Sequence, residues 1–400
     1  MSYTRFHSTW EDRPSTATPV TAAALEWIEG GILAGSNARG GEVIVASADA
    51  PASVKEESDY VCDGTADQVQ INAAIDAASA LNSRNPANPV GAGQRGTVRL
   101  TGGEFNISGS ILQRSAVKLA GCGWLTQINA VGLGTSAMIA LVSVNEHGCE
   151  VSDMHLYGNW TTGGTGDGIR FDMTGSVVTG YPNFNPDSYH RFTNLFMNGF
   201  GNGTTRTGLH LYSASTSNNR GNWLDNILTR DCSENGVFIE NSSDNYLHSI
   251  HTGTTGNSGI RIDGGNNYIT NSSTTYSDTY GFYLASGRHA LSACKVQDNA
   301  TGIYMGASTT TMAGVIVDTS SADGLVVAAS DFSATGLIVM LRTSGRYSTQ
   351  TNGIRFSGSR TGLTMIGNVI PSNITNPISG TTPTQSFIRI NNGATLYSVG

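Results

Sequence analysis

A glycine followed by an apolar residue recurs along much of this chain, mostly at intervals close to 22 residues. The intervals between successive glycines are 40, 28, 23, 22, 21, 22 and 29 residues. The glycines are Gly168, Gly208, Gly236, Gly259, Gly281, Gly302, Gly324 and Gly353. A period of about 20 to 50 residues is typical of solenoids and propellers, in which each unit buries its apolar face only by stacking on its neighbours.

The residues after each glycine alternate as a β-strand does. In GIRID, Ile260 and Ile262 point to one face, and Arg261 and Asp263 point to the other. No run of ten residues in this region keeps a helical period, and a propeller blade needs about 40 residues. The repeat therefore predicts an all-β fold, a right-handed parallel β-helix with about 22 residues per rung.

A second landmark precedes each glycine, as in LDNI at 224–227 and ITNS at 269–272. Its third position lies between two residues whose side chains should both point inward, so the chain has to bend sharply there. This position holds Asp153, Asn194, Asn226, Ser249 and Asn271. Because Asn and Asp tolerate the left-handed backbone conformation, we predict a structural ladder of stacked, hydrogen-bonded side chains at the bend.

Composition and charge exclude several classes of function. Charged residues make up 13% of the chain and the net charge is −8 without a basic stripe, so no nucleic-acid partner is expected. The longest apolar run, Ala137–Val144, is too short to span a bilayer. The N-terminal residues lack the apolar core of a signal peptide, which predicts synthesis in the cytoplasm. The five cysteines form no CxxC pair, and we expect neither a metal site nor a cofactor.

An amphipathic helix is predicted at about 67–81, because its apolar residues recur at i, i+3, i+4 and i+7. The run DGTADQVQINAAIDAA, followed by GTVRLTGGEFNISGSI and LAGCGW, resembles the start of pectate-lyase-like β-helix proteins. That superfamily includes polygalacturonase-like hydrolases, lyases, epimerases and phage tailspikes. The resemblance implies a β-helix over residues 41–370 whose open N-terminal end is capped by this helix.

The two ends of the chain differ from the repeat. Residues 1–40 contain TPVTAAALEWIEGGI, a short predicted helix that resembles N-terminal segments of phage tail and tail-fibre proteins. This resemblance implies attachment to other tail or baseplate proteins through residues 1–40, a location in the virion tail and a homotrimer. Residues 371–400 are predicted to form strands that cover the far end of the solenoid.

Candidate binding residues lie on the outward face of the strands that follow the glycines. Strand alternation places the second and fourth residues after each glycine on that face, where aromatic, guanidinium, imidazole and carboxylate groups suit a polysaccharide. The predicted substrate-binding residues are Arg170, Asp172, His210, Tyr212, Arg261, Tyr283 and Tyr304. A solvated sheet face or a contact between subunits explains the same pattern.

Glu240 and Asp263 occupy the same outward position in adjacent rungs, so their side chains start about 5 Å apart. Retaining glycosidases hold two carboxyl groups about 5–5.5 Å apart, which makes this pair the catalytic candidate. Charge balance between these carboxylates and Arg261 is the competing interpretation. Asp167 matches the Asp-Gly of polygalacturonase-like hydrolases, but their Asp-Asp, Gly-His-Gly and Arg-x-Lys motifs are missing, and a turn-capping role suits it better.

Three functions stay open at this stage. The first is a phage tail spike or tail fibre protein that binds a host surface polysaccharide, with or without depolymerising it. The second is a polysaccharide hydrolase or lyase of the β-helix class that acts independently of a virion. The third is a structural fibre whose outward aromatic residues lie between subunits.

Overall fold

The structure is a computed structural model that describes residues 42–80, 96–144, 146–159, 166–173, 189–200, 206–214, 220–342, 346–347, 349–370, 374–391 and 396–399. The first 41 residues, which include the predicted attachment segment, lie outside these ranges.

The described residues form two α-helices, one short 3₁₀-helix and a long series of short strands. The helices are α1 (Ala52–Glu56), α2 (Gln68–Ala80) and the 3₁₀-helix Gly123–Leu125. The strands are β1 (Glu42–Ala46), β2 (Tyr60–Val61), β3 (Gly96–Leu100), β4 (Gly103–Ile107), β5 (Ile111–Gln113), β6 (Val117–Ala120), β7 (Thr126–Ala130), β8 (Ile139–Leu141), β9 (Glu150–Tyr157), β10 (Ile169–Met173), β11 (Arg191–Phe200), β12 (Leu209–Ser213), β13 (Trp223–Cys232), β14 (Val237–Glu240), β15 (Tyr246–Thr255), β16 (Ser258–Ile262), β17 (Asn267–Thr270), β18 (Ser273–Ser277), β19 (Tyr280–Leu284), β20 (His289–Ser292), β21 (Lys295–Asn299), β22 (Thr301–Met305), β23 (Thr311–Ala313), β24 (Ile316–Ser320), β25 (Asp323–Val327), β26 (Ser333–Thr335), β27 (Ile338–Met340), β28 (Asn352–Phe356), β29 (Thr364–Val369), β30 (Asn376–Gly380), β31 (Phe387–Asn391) and β32 (Leu396–Val399).

Each rung contributes one strand to an 11-stranded sheet and the rest to a 21-stranded sheet. The 11-stranded sheet, which we call the Gly-led sheet, runs in the order β30-β28-β25-β22-β19-β16-β14-β12-β10-β8-β5 and is parallel throughout. The apolar residues that the two sheets turn inward form one continuous buried cluster. The predicted right-handed parallel β-helix is confirmed.

The leading glycines are required by close packing between rungs. A Cβ atom at Gly281 would lie 2.6 Å from the carbonyl oxygen of Gly302, the corresponding residue of the next rung. A Cβ atom at Gly302 would likewise lie 2.4 Å from the oxygen of Gly324. These distances are far below van der Waals contact, so a side chain at this position would push successive rungs apart.

The predicted ladder at the bend is confirmed. Asp153, Asn194, Asn226, Ser249 and Asn271 have φ angles of 59°, 54°, 53°, 53° and 49°, all in the left-handed region. The Nδ2 atom of Asn194 donates to Asp153 Oδ1 at 2.8 Å, and Asn226 Nδ2 donates to Asn194 Oδ1 at 2.9 Å. Side chains that favour this conformation locally therefore also connect one rung to the next.

A second asparagine ladder, which the sequence-based prediction missed, lies inside the protein. Asn222, Asn245 and Asn267 are at most 1% exposed. Asn222 Nδ2 donates to Asn245 Oδ1 at 2.7 Å, and Asn245 Nδ2 donates to Asn267 Oδ1 at 2.7 Å. Each of these residues directly precedes an exposed aromatic residue, so the repeated pairs NW, NY and NY mark the ladder in the sequence.

The two ends of the solenoid differ in structure. Helix α2 packs against β1, β3 and β5, and its Ile71, Ala74, Ile75 and Ala78 join the core cluster, which confirms the predicted N-terminal cap. At the other end, β30 pairs in parallel with β28 and β31 with β29, while β32 pairs antiparallel with β31. The parallel pairing therefore continues beyond residue 370.

Candidate functional site

The register of the Gly-led sheet aligns the predicted binding residues in two columns along its outward face. In the first column the strand partners are Arg170, His210, Phe238, Arg261, Tyr283 and Tyr304 in that order. In the second column Asp172 pairs with Tyr212, and Tyr212 pairs with Glu240. Because Ile239 pairs with Ile262, Glu240 and Asp263 stand in adjacent rungs.

His210 joins two carboxylates that the sequence did not connect. Its Nε2 atom lies 2.9 Å from Glu240 Oε2, and its Nδ1 atom lies 3.4 Å from Asp167 Oδ2. The side chains of His210 and Asp167 are 9% and 10% exposed, whereas that of Glu240 is 31% exposed. The Asp167 carboxylate also accepts a hydrogen bond from the Thr207 backbone amide at 2.8 Å. Only Glu240 of the three therefore presents substantial surface to a ligand.

Asp263 lies one rung after Glu240 and is paired with Arg261 of its own rung. Nη2 and Nε of Arg261 donate to the same Asp263 oxygen, Oδ2, at 2.6 and 3.0 Å. Burial lowers the pKa of Arg261, but the hydrogen bonds and the charge of Asp263 outweigh this effect and the pKa lies above its ordinary value. The charge balance that the sequence suggested between Arg261 and Asp263 is thus present.

The aromatic residues of the first column pack on each other and on Arg261. His210 stacks on Phe238 with ring centroids 4.7 Å apart, and Tyr283 stacks on Tyr304 at 4.9 Å. The guanidinium carbon of Arg261 lies 4.6 Å from the Phe238 centroid and 5.4 Å from that of Tyr283. The faces of Phe238 and Tyr283 are therefore used within the column. A ligand on this face would therefore meet ring edges and hydroxyl groups rather than open ring faces.

The start of the face carries an additional ion pair. Arg170 Nε donates to Asp172 Oδ1 at 2.9 Å, and its guanidinium carbon lies 5.6 Å from the Tyr212 ring centroid. Both charged side chains are more than 40% exposed. The seven predicted binding residues and the two predicted catalytic residues thus all lie on one face, from β10 to β22.

Glu240 and Asp263 place two carboxylates at the same position of adjacent rungs on this face. Like charges directly opposite in neighbouring strands are destabilising. His210 and Arg261 each engage one of the pair, which offsets the repulsion and leaves the second oxygen of Glu240 as a hydrogen-bond acceptor. Carboxylates held in this way can accept hydroxyl groups of a glycan, and a hydrogen bond between an imidazole and a carboxyl group is suited to moving a proton.

Another face, on the 21-stranded sheet, carries a group of aromatic residues that sequence reasoning did not single out. Trp223, Tyr246 and Tyr268 stack at 4.6 and 5.1 Å and are 48%, 40% and 47% exposed. Two residues further along the same strands, His248 Nδ1 lies 2.7 Å from Asp225 Oδ1. The NW, NY and NY pairs that mark the buried ladder in the sequence also contain these three aromatic residues.

Among the described residues, no group of three or more His, Cys, Asp or Glu side chains is arranged to hold a metal ion. Neither helix in these parts of the chain has the length and apolar character needed to cross a bilayer.

No protein-family model and no curated protein sequence matches this chain. Several solved structures do. A tailspike double mutant of E. coli bacteriophage HK620 in complex with a pentasaccharide is 13% identical, with a TM-score of 0.52 and coverage of 94% of this chain and 64% of that chain. The A-module of the mannuronan C-5 epimerase AlgE4 from Azotobacter vinelandii is 15% identical, with a TM-score of 0.50 and coverage of 81% and 96%.

ORF18 of Geobacillus virus E2 is 13% identical, with a TM-score of 0.49 and coverage of 96% of this chain and 67% of that chain. This chain spans about two thirds of the length of the HK620 tailspike. Identities this low establish a shared architecture and nothing finer. The chain therefore has the right-handed parallel β-helix fold that phage tailspikes and the AlgE epimerase modules also have.

Proposed function

We propose that this protein is a phage tail spike or tail fibre protein that binds a host cell-surface polysaccharide along the outward face of the Gly-led sheet. The observation that carries the proposal is the unbroken row of polar and aromatic side chains from Arg170 to Tyr304, in register over six strands. A polysaccharide is itself a linear repeat, so a row of similar groups at a rung spacing of about 4.8 Å suits an extended chain.

The assembly around this site follows the same proposal. Residues 1–40 attach the protein to other tail or baseplate proteins, and the protein acts as a homotrimer in the virion tail after synthesis in the host cytoplasm. The tailspike with the same fold was solved with a pentasaccharide, which supports glycan binding by this architecture. The attachment segment rests on the sequence resemblance of TPVTAAALEWIEGGI.

Cleavage of the bound polysaccharide is a second candidate, favoured by the contact between His210 and Glu240. Retaining hydrolysis needs one protonated carboxyl group and one carboxylate. The two hydrogen bonds from Arg261 suit Asp263 to the carboxylate role. Glu240 is then the proton donor to the glycosidic oxygen, and His210, 2.9 Å away, is the positioning residue that shares its proton.

Binding and cleavage are tested together on a panel of purified bacterial surface polysaccharides. Binding is measured by biolayer interferometry and cleavage by new reducing ends. The test variant is Glu240→Gln/Asp263→Asn, and the matched control is Asp225→Asn/His248→Gln, which alters an exposed pair on another face. The variants need unchanged circular dichroism and mass.

The outcomes distinguish glycan binding, glycan cleavage and a purely structural role. Binding that the test variant loses and the control keeps supports the Gly-led face as the glycan site. Reducing ends that disappear in the test variant alone add hydrolase activity, whereas binding without reducing ends refutes cleavage. Failure to bind any polysaccharide refutes the proposed function and favours a structural fibre, in which Tyr283 and Tyr304 would be shielded between chains.

A further inference from the structure

The charges of the Gly-led face bear on which polysaccharide it can accept. Every arginine on the outward positions of its described strands is paired with an aspartate of the same face. The shortest distances are 2.9 Å for Arg170–Asp172, 2.6 Å for Arg261–Asp263 and 2.8 Å for Arg355–Asp323. Each of these guanidinium charges is therefore balanced by a carboxylate, and an acidic sugar that approached the guanidinium group would also lie beside that carboxylate and be repelled by it.

Asp167 and Glu240, two more carboxylates of this face, share the imidazole of His210, and Asp167 also lies 3.8 Å from Nη1 of Arg170, whose charge is already balanced by Asp172. When Asp167 and Asp323, which directly precede Gly168 and Gly324, are counted with the outward residues, five carboxylates stand against three guanidinium groups, an excess of two negative charges when His210 is neutral and of one when it is protonated. Two more charged residues lie in the turns before these strands. Arg206 interacts electrostatically with Asp167, and Glu234 interacts with Arg261. Their opposite charges cancel, so they leave the excess of negative charge unchanged.

Two carboxylates of this face keep a hydrogen-bond acceptor open to a ligand. Glu240 uses Oε2 for His210, and Asp172 uses Oδ1 for Arg170. Each therefore has a second oxygen for a donor, and their side chains are 31% and 44% exposed. Sugar hydroxyl groups donate to such oxygens, whereas the carboxylates of a uronic acid would be repelled by them.

We propose that the polysaccharide bound on the Gly-led face is uncharged and is recognised through its hydroxyl groups, and that polyanionic glycans are excluded. The inference rests on the proposed glycan-binding function and specifies its substrate class. It assigns Arg261 to holding Asp263 rather than to binding an acidic sugar.

The test uses chemically matched polysaccharides. Each acidic member of the panel is measured before and after carbodiimide activation and borohydride reduction, which convert uronic acids into neutral hexoses on the same backbone. Binding is measured at 50 and 500 mM NaCl. We expect the neutral polymers to bind with little dependence on salt, and reduction to strengthen binding of acidic polymers at least about tenfold in 50 mM NaCl.

A charge variant tests the cause. Asp172→Asn removes one excess negative charge and the 2.9 Å partner of Arg170, which keeps only Asp167 at 3.8 Å, so binding of the unreduced acidic polymers should rise severalfold, while Asp225→Asn on the other face should change nothing. An acidic polymer that binds more tightly than its reduced form, and loses affinity with salt, would overturn the inference while leaving glycan binding in place. Absence of binding to all polymers would instead refute the proposed function and this inference with it.

Discussion

The buried asparagine ladder yields a quantitative prediction for the variant Asn245→Asp. The amide of Asn245 is fully buried, and its Nδ2 atom donates to Ser242 Oγ at 2.9 Å and to Asn267 Oδ1 at 2.7 Å. The substitution keeps the shape and the Oδ1 acceptor but replaces this donor by an oxygen that faces the Asn267 carbonyl. A carboxylate there would be buried against a hydrogen-bond acceptor, so the new carboxyl group is expected to stay protonated.

Most of the expected loss in unfolding free energy comes from keeping the new carboxyl group protonated. Holding a carboxyl group of ordinary pKa about 3.9 in its protonated form at pH 7 costs about 1.36 kcal/mol for each pH unit above that pKa, or roughly 4 kcal/mol. One of the two donated hydrogen bonds is also lost, at about 1 kcal/mol. The sum at pH 7 is about 5 kcal/mol of unfolding free energy. Because the pKa of the new carboxyl is raised on folding, the proton cost falls with decreasing pH, and only about 1 kcal/mol should remain near pH 4.

The assay is the apparent melting temperature at a fixed scan rate from pH 7.5 to 4, read as the difference between variant and wild type. The matched control is Asn226→Asp, since Asn226 is exposed, lies in the other ladder and donates to Asn194 Oδ1 at 2.9 Å. We expect a loss of no more than about 0.5 kcal/mol for the control. Equal losses in both variants, or a deficit in Asn245→Asp that does not shrink in acid, would refute the conclusion that the inner ladder is buried and stabilising.

Two further predictions concern protonation and close packing. Complete burial, with a smaller contribution from His147, lowers the pKa of His190 to about 3. The unfolded chain therefore takes up an additional proton below about pH 6.5, and wild-type stability should fall by up to about 1.4 kcal/mol per pH unit between pH 6.5 and 3 from this residue, a slope that His190→Gln should reduce in the same melting series. Gly281→Ala should lower the melting temperature by the equivalent of about 1–3 kcal/mol, because the new Cβ would lie 2.6 Å from Gly302 O. Gly253→Ala, whose nearest contact would be 3.4 Å, should be nearly neutral, and an equal loss at both glycines would contradict the packing argument.

Features that depend on the local sequence were predictable. Alternation in GIRID gives the buried and outward residues of β16, and the preference of Asn for left-handed backbone gives the bend at Asn226. The spacing of 23 residues between Glu240 and Asp263 gives their adjacency, because both lie in rungs without an insertion. Each of these predictions needs only the sequence of one rung, or of two successive rungs with no insertion between them.

Features that depend on register across irregular intervals were not predictable. Asp167 and His210 are 43 residues apart, an interval that contains the long connection between β10 and β11, so no fixed period brings them together. The burial of Asn245 is hidden for another reason. It follows a turn in which Asp244 has a positive φ of 56°, and such a bend breaks the alternation that assigns side chains to the inside or outside. Burial of the ladder is therefore decided by the turn and not by the strand pattern.

The in-register stacking that builds this fold also bears on whether outward residues of the Gly-led face serve stability or the proposed glycan binding. Parallel register places each side chain beside its equivalent one rung away, and a column that serves stability alone should avoid like charges. Glu240 and Asp263 are an exception to that rule. His210 contacts Glu240 and Arg261 contacts Asp263, so each carboxylate has a compensating partner. Residues that break a local rule and are compensated nearby are typical of functional sites. Neutralising Glu240 alone by Glu240→Gln should therefore leave the melting temperature unchanged or higher while glycan binding falls. A stability loss of more than about 1 kcal/mol with binding intact would identify the pair as part of the scaffold instead.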